Sequence, residues 1–190
     1  MPKKKQMPKK LENLGYDIDA ALSNKYMEKL KLEGLCCSFA MDFAKKKLAG
    51  KVVDPETYKS EARIKKIVKR QALQAKGKDD FDGLKRVASA YGMKINEKSV
   101  YWGFKDQFGV WTYSGNGFTS AMVYVTLGFK DGDRHGFTID ARTSTVLLAD
   151  SGAGVYSQTS SSLGQMTHSH LELLEKEKTV KSFYCRSLSL

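Results

Sequence analysis

The first half of the chain carries apolar residues at helical spacing. Between residues 35 and 48 they recur every three or four positions, lysines fill the last turn and Gly50 follows, which predicts a helix that ends there. A second helix is predicted from Pro55 to about Lys76, because proline suits the first turn of a helix. A third, shorter helix begins after Asp79 and ends at Gly92.

The hydrophobic period changes after Gly92. β-Branched and aromatic residues now form short runs separated by turn residues such as KDGD, which predicts strands and hairpins. A late stretch, residues 163–178, again has helical spacing. The predicted strands cover residues 100–104, 110–113, 120–129, 135–141, 145–149, 154–158 and 179–186. N-terminal helices followed by an antiparallel β-sheet with one late helix predict an α+β domain.

The length and the start of the chain bound its domain organisation. With 190 residues it is long enough for one domain with a real core and short for two. The N-terminal MPKKKQMPKK is basic, but no apolar segment follows it, so we do not expect it to be a secretory signal peptide. We expect residues 1–20 to form a disordered basic arm, or the start of a domain excised from a longer protein, and residues 21–190 to form a single domain.

The net charge of +11 is concentrated in the N-terminal part. Residues 1–76 contain 19 lysines and arginines against 9 acidic residues, whereas residues 77–190 contain 13 against 12. Such a basic half favours acidic partners, which include nucleic acid, an anionic membrane and an acidic protein surface. A basic helical face that is simply solvated explains the same pattern, since no RNA-binding signature accompanies the lysines.

The cysteines and histidines do not suggest a disulfide framework or a metal site. Cys36 and Cys37 are neighbours, which rarely meet disulfide geometry, and Cys185 lies at the far end of the chain. We therefore expect a reducing compartment. No CxxC pair or HxxxH spacing completes a zinc site, and His168 and His170 are expected at the surface or at a helix cap. No metal and no cofactor is expected.

Cys36 stands where a helix begins, and this position suits a nucleophile. A helix N-terminus or an adjacent imidazole makes a thiol reactive, and Gly34 permits a tight entry into the helix. The backbone N–H groups at Cys36 could also stabilise an oxyanion. For either cysteine taken alone, a buried structural role is the more common one.

His135 and Asp150 are the candidate partners of this thiol. His135 heads a predicted strand and Asp150 ends the next one, so a hairpin around ARTST would place both at one edge of the sheet. There the carboxylate could orient the imidazole that serves as base. Taken singly, the histidine is typical of a surface residue and the aspartate of a turn. Their joint arrangement, in the order Cys, His, Asp, favours catalysis.

Three segments, GLCCSFAMDF, RHGFTID and LLADSGAGVY, together resemble the YopT-type cysteine proteases, a papain-like family of secreted bacterial effectors. Gly34 and Cys36 match the family's G-x-C motif at the start of a helix, and Phe43 stands where the family has a bulky aromatic residue. His135 matches the histidine that begins a strand. Asp150 matches the aspartate of a D-P-N-x-G-like segment, which here is DSGAG.

The resemblance implies a fold and a function. It implies a papain-like catalytic domain in which Cys36 is the nucleophile, His135 the base and Asp150 the residue that orients the imidazole. It also implies a monomeric effector or toxin that a bacterium secretes through a specialised secretion system and that cleaves a protein in the cytoplasm of a target cell. Candidate partners besides the protein substrate are a cognate inhibitor or immunity protein and, through the basic N-terminal half, an anionic membrane or acidic surface.

One departure from the family pattern concerns the oxyanion hole. Papain-like enzymes place a Gln or Asn five or six residues before the cysteine, where this chain has Leu30 and Lys31. Asn24 is the nearest upstream amide, and it is the candidate together with the backbone of Cys36. The family pattern selects Cys36 as the nucleophile, whereas Cys37 heads the more apolar helical stripe and is expected in the core.

Two other functions are compatible with the sequence. The same three residues could serve a glutamine deamidase or a transglutaminase-like acyl transferase, since these enzymes also form an acyl-enzyme on cysteine. Alternatively, the chain is a non-catalytic module whose basic helix, predicted over residues 55–76, contacts nucleic-acid phosphates.

Overall fold

The structure, a computed structural model, describes residues 12–14, 18–152, 154–159 and 161–190. This part contains five α-helices, eight β-strands and two short 3₁₀ turns, Pro55–Tyr58 and Gln74–Lys76. The helices are α1 (Ala20–Leu30), α2 (Cys36–Leu48), α3 (Glu61–Gln71), α4 (Asp80–Ala90) and α5 (Leu163–Leu174). The strands are β1 (Glu12–Asn13), β2 (Lys94–Lys105), β3 (Trp111–Gly115), β4 (Met122–Phe129), β5 (Arg134–Asp140), β6 (Thr145–Asp150), β7 (Gly154–Thr159) and β8 (Val180–Ser189).

All eight strands form one antiparallel sheet in the order β1-β7-β6-β5-β4-β8-β2-β3. The strands from β4 to β7 follow one another as hairpins, whereas β8 returns from the end of the chain and lies between β4 and β2. The order of helices first, then an antiparallel sheet with one late helix, confirms the predicted α+β architecture.

Helices cover the two faces of the sheet separately. On one face α5 packs on side chains of β4 and β5 such as Val125 and Phe137. On the other face α2 and α4 pack on Met122 and Tyr124, which alternate with Val125 along the sheet. A backbone carbonyl of α2, that of Ala40, accepts a hydrogen bond from Thr138 Oγ1 of β5 at 3.1 Å. The start of α2 is thereby fixed beside β5.

The segment predicted as one helix, residues 55–76, is interrupted. A 3₁₀ turn ends at Tyr58, and α3 starts at Glu61 after Ser60, whose backbone is extended. This break lets the fully buried Tyr58 ring pack on Phe39 of α2, with 4.7 Å between the ring centres. The prediction of a continuous helix was wrong here, because a buried aromatic contact outweighs the local helical pattern.

The predicted N-terminal arm lies largely outside the described residues. Residues 1–11 and 15–17 are outside the described ranges, so the disorder expected for them stays a prediction. Residues 12–14 differ from the expectation, because β1 pairs with β7 and Leu14 N donates to Val155 O at 2.8 Å. Helix α1 begins at Ala20, where the Asp19 side chain caps it through the N–H of Leu22. No helix in the described ranges is long and apolar enough to cross a membrane.

Candidate active site

Helix α2 begins at Cys36 and places its thiol at the helix N-terminus. Intrahelical bonding starts with Phe39 N, which donates to Leu35 O at 2.9 Å. The Ser38 N–H donates instead to the Gln71 side-chain oxygen at 2.8 Å. The N–H groups of Cys36 and Cys37 precede these bonds, and the first-turn N–H groups of a helix have no acceptor within it. They make the start of α2 a positively polarised position beside the thiol.

The two neighbouring cysteines occupy different environments. Cys36 is partly exposed, whereas Cys37 is fully buried between α2 and the sheet. Burial, together with the nearby Cys36, raises the pKa of the Cys37 thiol well above its ordinary value. The expected core position of Cys37 is confirmed, and its thiol is held in the inert protonated form.

His135 and Asp150 meet at the edge where β5 starts and β6 ends. Thr138 of β5 lies opposite Ala149 of β6, so the register continues with Asp150 opposite Phe137, two residues from His135 at the start of β5. His135 Nε2 lies 2.6 Å from Asp150 Oδ2, and the carboxylate is almost fully buried. With Nε2 bonded to the carboxylate, Nδ1 is the ring nitrogen left for Cys36.

Charge interactions link the three residues. Burial alone would lower the pKa of His135, but hydrogen bonds to Asp150 and to Cys36 raise it to about 10. Burial alone would raise the pKa of Asp150, but hydrogen bonds from His135 and His170 hold it well below its usual range. The imidazole is therefore stabilised in its protonated form between a carboxylate and a thiol. The structure brings together the three residues that the sequence singled out.

A second histidine binds the same carboxylate oxygen. His170 of α5 lies with Nε2 2.7 Å from Asp150 Oδ2, and its ring is completely buried against the edge of Phe137. Asp150 Oδ1 accepts the Gly152 N–H at 2.8 Å, so both carboxylate oxygens are hydrogen-bonded. His170 Nδ1 has no hydrogen-bond partner in the described structure.

The expected surface position was wrong for His170. The buried position of His170 could have been predicted from its spacing. His170 follows Met166 by four residues and Leu163 by seven, which places all three on the buried face of α5. His168 points the other way, is partly buried, and lies with Nε2 2.9 Å from the Tyr101 hydroxyl. Two histidines two residues apart on a helix face different neighbours, and only His170 reaches the site.

A glycine next to His135 is required by close packing. The Tyr124 hydroxyl lies so near Gly136 that a Cβ atom at this position would overlap it. Tyr124 is itself buried and lies within hydrogen-bonding reach of Cys37. The absence of a side chain at Gly136 therefore allows β5 to pack closely against Tyr124, the buried neighbour of Cys37. No pattern in the sequence predicted this role of Gly136.

The amide expected at the oxyanion hole is not where the sequence pointed. Asn24 is exposed on α1, on a face other than that of Leu22 and Tyr26, which pack on the core. Its role stays a prediction that no observed contact supports. A different side-chain amide lies at the start of α2. It belongs to Gln71 at the end of α3, and it accepts the hydrogen bond from Ser38 N–H. Sequence spacing could not find it, because it follows the cysteine by 35 positions.

A cavity of about 740 Å³ opens beside the histidine pair. Its walls combine an apolar floor from Phe129, Tyr156, Leu173 and Leu174 with charged residues of the β4–β5 turn and the end of α5. His135 and Asp150 line one side of it. Within the described ranges no cluster of three or more His, Cys, Asp or Glu side chains could hold a metal ion.

Comparison with known proteins finds a structural similarity. No family model and no curated protein matches the chain. The fold is similar to the crystal structure of the Pseudomonas avirulence protein AvrPphB, with a TM-score of 0.60 and 12% sequence identity. The match covers 85% of this chain and 94% of that one. It confirms the predicted α+β fold, while membership of the papain-like YopT-type family stays a prediction.

Proposed function

We propose that the protein is a cysteine protease in which Cys36 is the nucleophile, His135 the general acid and base, and Asp150 the residue that orients the imidazole. One observation carries the proposal. His135 is bonded through Nε2 to a buried carboxylate and interacts on its other side with a thiol at a helix N-terminus. A thiol held beside a carboxylate-bound imidazole is the arrangement that thiol hydrolases use to activate their nucleophile.

The reaction follows from the positions of these groups. The Cys36 thiolate attacks a peptide carbonyl, and the carbonyl oxygen becomes an anion that the free N–H groups at the start of α2 can stabilise. His135 then protonates the departing amine from Nδ1, which leaves an acyl-enzyme. Water, deprotonated by the same nitrogen, attacks the thioester and releases the acid product. Asp150 keeps Nε2 bonded throughout, so the imidazole presents the same nitrogen in both steps.

The likeness to an avirulence protein of a bacterium supports an effector function. On this proposal the protein is secreted by a bacterium and acts on a protein in the cytoplasm of a target cell. The basic N-terminal half would then favour a substrate or membrane with an acidic surface. A cognate inhibitor or immunity protein would act by covering the partly exposed Cys36.

The test compares two cysteine variants on the proteome of a target cell. New protein N-termini are counted by mass spectrometry after incubation with the wild type, Cys36→Ala or Cys37→Ala. We expect Cys36→Ala to reduce cleavage by at least about a thousand-fold, because it removes the nucleophile. Cys37→Ala should keep cleavage and lose stability, because it leaves a cavity in the core.

Three other outcomes would decide against the proposal. A gain of one dalton on glutamine, without new N-termini, would identify a deamidase that uses the same residues. Cleavage that persists in Cys36→Ala would contradict the assignment of the nucleophile. Salt-sensitive binding of nucleic acid that is unchanged in Cys36→Ala, with no covalent product, would favour the non-catalytic module.

A further inference from the structure

A small cavity of about 210 Å³ lies between α2 and α3. Its walls come from these two helices, from Lys51 after α2 and from Tyr91 at the end of α4. Asp42 is the one acidic residue that the described structure places in these walls. Six basic residues face it, so the walls carry an excess of five positive charges. The six are Lys45, Lys46, Lys51, Arg63, Lys66 and Arg70.

Helical spacing directs these cations to one place. Lys66 and Arg70 follow Arg63 by three and seven positions, so all three lie on one face of α3. Two lysines in the last turn of α2 follow Asp42 by three and four positions and share its face. The two faces meet where Arg63 Nε donates to Asp42 Oδ2 at 3.0 Å. The dipole of α2 favours the lysines of its last turn, but it does not explain Arg63 and Lys66, which lie before the last turn of α3.

Asp42 offsets only part of this positive charge. Its Oδ2 accepts from Arg63 and lies 4.0 Å from Lys46 Nζ, so two cations share one carboxylate. Burial, together with repulsion from Arg63, lowers the pKa of Lys46. The other four basic residues have no carboxylate within ion-pairing distance in the part of the chain that the structure describes. A bound anion would relieve the repulsion between these cations.

Arg70 is oriented so that it can bind such an anion. Its guanidinium lies 3.9 Å from the centre of the Tyr91 ring. The Tyr91 hydroxyl is hydrogen-bonded to the Ser38 hydroxyl at 2.8 Å, which fixes the ring in place. A guanidinium stacked on a ring keeps the N–H groups at its edge available, and this edge binds two phosphate oxygens at once. The partly buried Lys45 adds a compact positive charge to the same cavity.

The size and charge of the cavity select one class of ligand. A phosphate monoester carries a charge of about −1.5 to −2 at pH 7, whereas a carboxylate carries a single charge. An excess of five positive charges is therefore matched by about two or three clustered phosphates. A nucleic acid has one charge per phosphate, spaced along an extended backbone, so few of its phosphates could enter so small a cavity. A ring that carries several phosphates concentrates its charge in the required way.

We propose that this cavity binds a multiply phosphorylated inositol group, either as a free inositol phosphate or as the headgroup of a phosphoinositide in a membrane. The proposal assigns a defined site to the basic N-terminal half of the chain. It does not depend on protease activity. Lys45 lies nine residues after Cys36 on α2, about 14 Å further along the helix, so a bound headgroup leaves the thiol uncovered.

Calorimetric titration of the wild type with inositol 1,4,5-trisphosphate at low salt tests the site. We expect one ligand per chain and a dissociation constant on the order of 10 µM. Co-flotation with vesicles then distinguishes the two sources of the ligand. The vesicles are phosphatidylcholine with either phosphatidylinositol 4,5-bisphosphate or phosphatidylserine at equal total charge. Preference for the bisphosphate vesicles supports the membrane headgroup, whereas titration without such a preference supports the free inositol phosphate.

A double variant and its matched control test where the ligand binds. Lys45→Gln with Lys66→Gln removes two cations of the cavity and should raise the dissociation constant at least about ten-fold. Lys25→Gln with Lys29→Gln lowers the net charge equally on the exposed face of α1, outside the cavity, and should change it less than about two-fold. Without ligand, the first variant should unfold at a temperature no lower than that of the wild type, because it removes repelling charges.

The proposal is overturned if the wild type does not bind the trisphosphate at low salt. It is also overturned if the two double variants weaken binding equally, since the basic half would then attract anions without a defined site. Tighter binding of single-stranded nucleic acid than of the trisphosphate at the same salt would assign the surface to nucleic acid instead. These outcomes are independent of protease activity, because the altered lysines lie outside the candidate active site.

Discussion

At the scale of single residues, the unusual feature is one carboxylate oxygen that binds two histidines. Asp150 Oδ2 lies 2.6 Å from His135 and 2.7 Å from His170, both through Nε2. A carboxylate that accepts one hydrogen bond on each oxygen can still rotate about its Cβ–Cγ bond. A second donor on Oδ2 restricts this rotation. We therefore expect His170 to act as a positioning residue that keeps Asp150 aligned with His135.

His170→Phe tests this positioning role. Phenylalanine keeps a ring against Phe137 but removes the N–H that Asp150 accepts. We expect alkylation of Cys36 by iodoacetamide at about pH 6 to slow roughly ten-fold, a typical effect of losing a residue that orients a reactive group. His170→Gln retains an N–H donor and should recover most of the rate.

His168→Phe is the matched control on the same helix, because His168 contacts Tyr101 and not Asp150. It should alkylate like the wild type. An unchanged rate in His170→Phe, or an equal loss in His170→Phe and His170→Gln, would refute the role.

The raised pKa of His135 predicts a dependence of stability on pH. In the folded protein it is about 10, above the value of about 6.5 expected for the unfolded chain. The native state therefore retains a proton that the unfolded state releases between these values. The resulting stabilisation is complete below about pH 6.5 and is lost as the pH rises towards 10.

The measurement is urea unfolding of the wild type and His135→Gln at several pH values. We expect their difference in unfolding free energy to shrink between about pH 6.5 and 10. Burial lowers the pKa of His168, so the difference between His168→Gln and the wild type should stay constant in this window. A constant difference for His135→Gln as well would contradict the raised pKa.

At the scale of elements, the start of α2 depends on α3. Gln71 accepts the Ser38 N–H at 2.8 Å where both residues are buried, and its own N–H group donates to Gln74 at 2.6 Å. Gln71→Ala leaves a buried N–H without a partner. We expect a loss of about 1–3 kcal/mol of unfolding free energy in urea.

Gln74→Ala is the control for the hydrogen bond between Ser38 and Gln71. Gln74 is partly exposed, so water can replace its amide, and the loss should stay below about 1 kcal/mol. Equal losses in the two variants would show that the bond from Ser38 to Gln71 does not hold the start of α2.

Helix α2 and the edge formed by β5 and β6 could be predicted because their signals are local. The apolar spacing and the lysines of the last turn placed the helix within a residue or two, and the strand pattern placed Asp150 beside His135. The break after Tyr58 could not be predicted, since it depends on packing against Phe39. The hydrogen bond from Ser38 of α2 to Gln71 of α3 also could not be predicted, because it depends on a contact between two helices that no spacing rule describes.

At the scale of the whole molecule, the candidate site exists only in the complete fold. Cys36 comes from α2, His135 and Asp150 from neighbouring strands, and His170 from the helix on the opposite face of the sheet. The class of the fold could be predicted from element order and sparse motifs. The strand order could not, because β8 joins the middle of the sheet through contacts far apart in sequence.

The central claim is that Cys36 is a nucleophile activated by the imidazole of His135. The rate at which iodoacetamide labels Cys36 near neutral pH, followed by peptide mapping, measures this activation directly. We predict that Cys36 is labelled faster in the native protein than in guanidinium chloride and that His135→Gln removes this advantage. Native labelling of Cys36 that is no faster than in the unfolded chain, or an advantage that His135→Gln retains, would contradict the account.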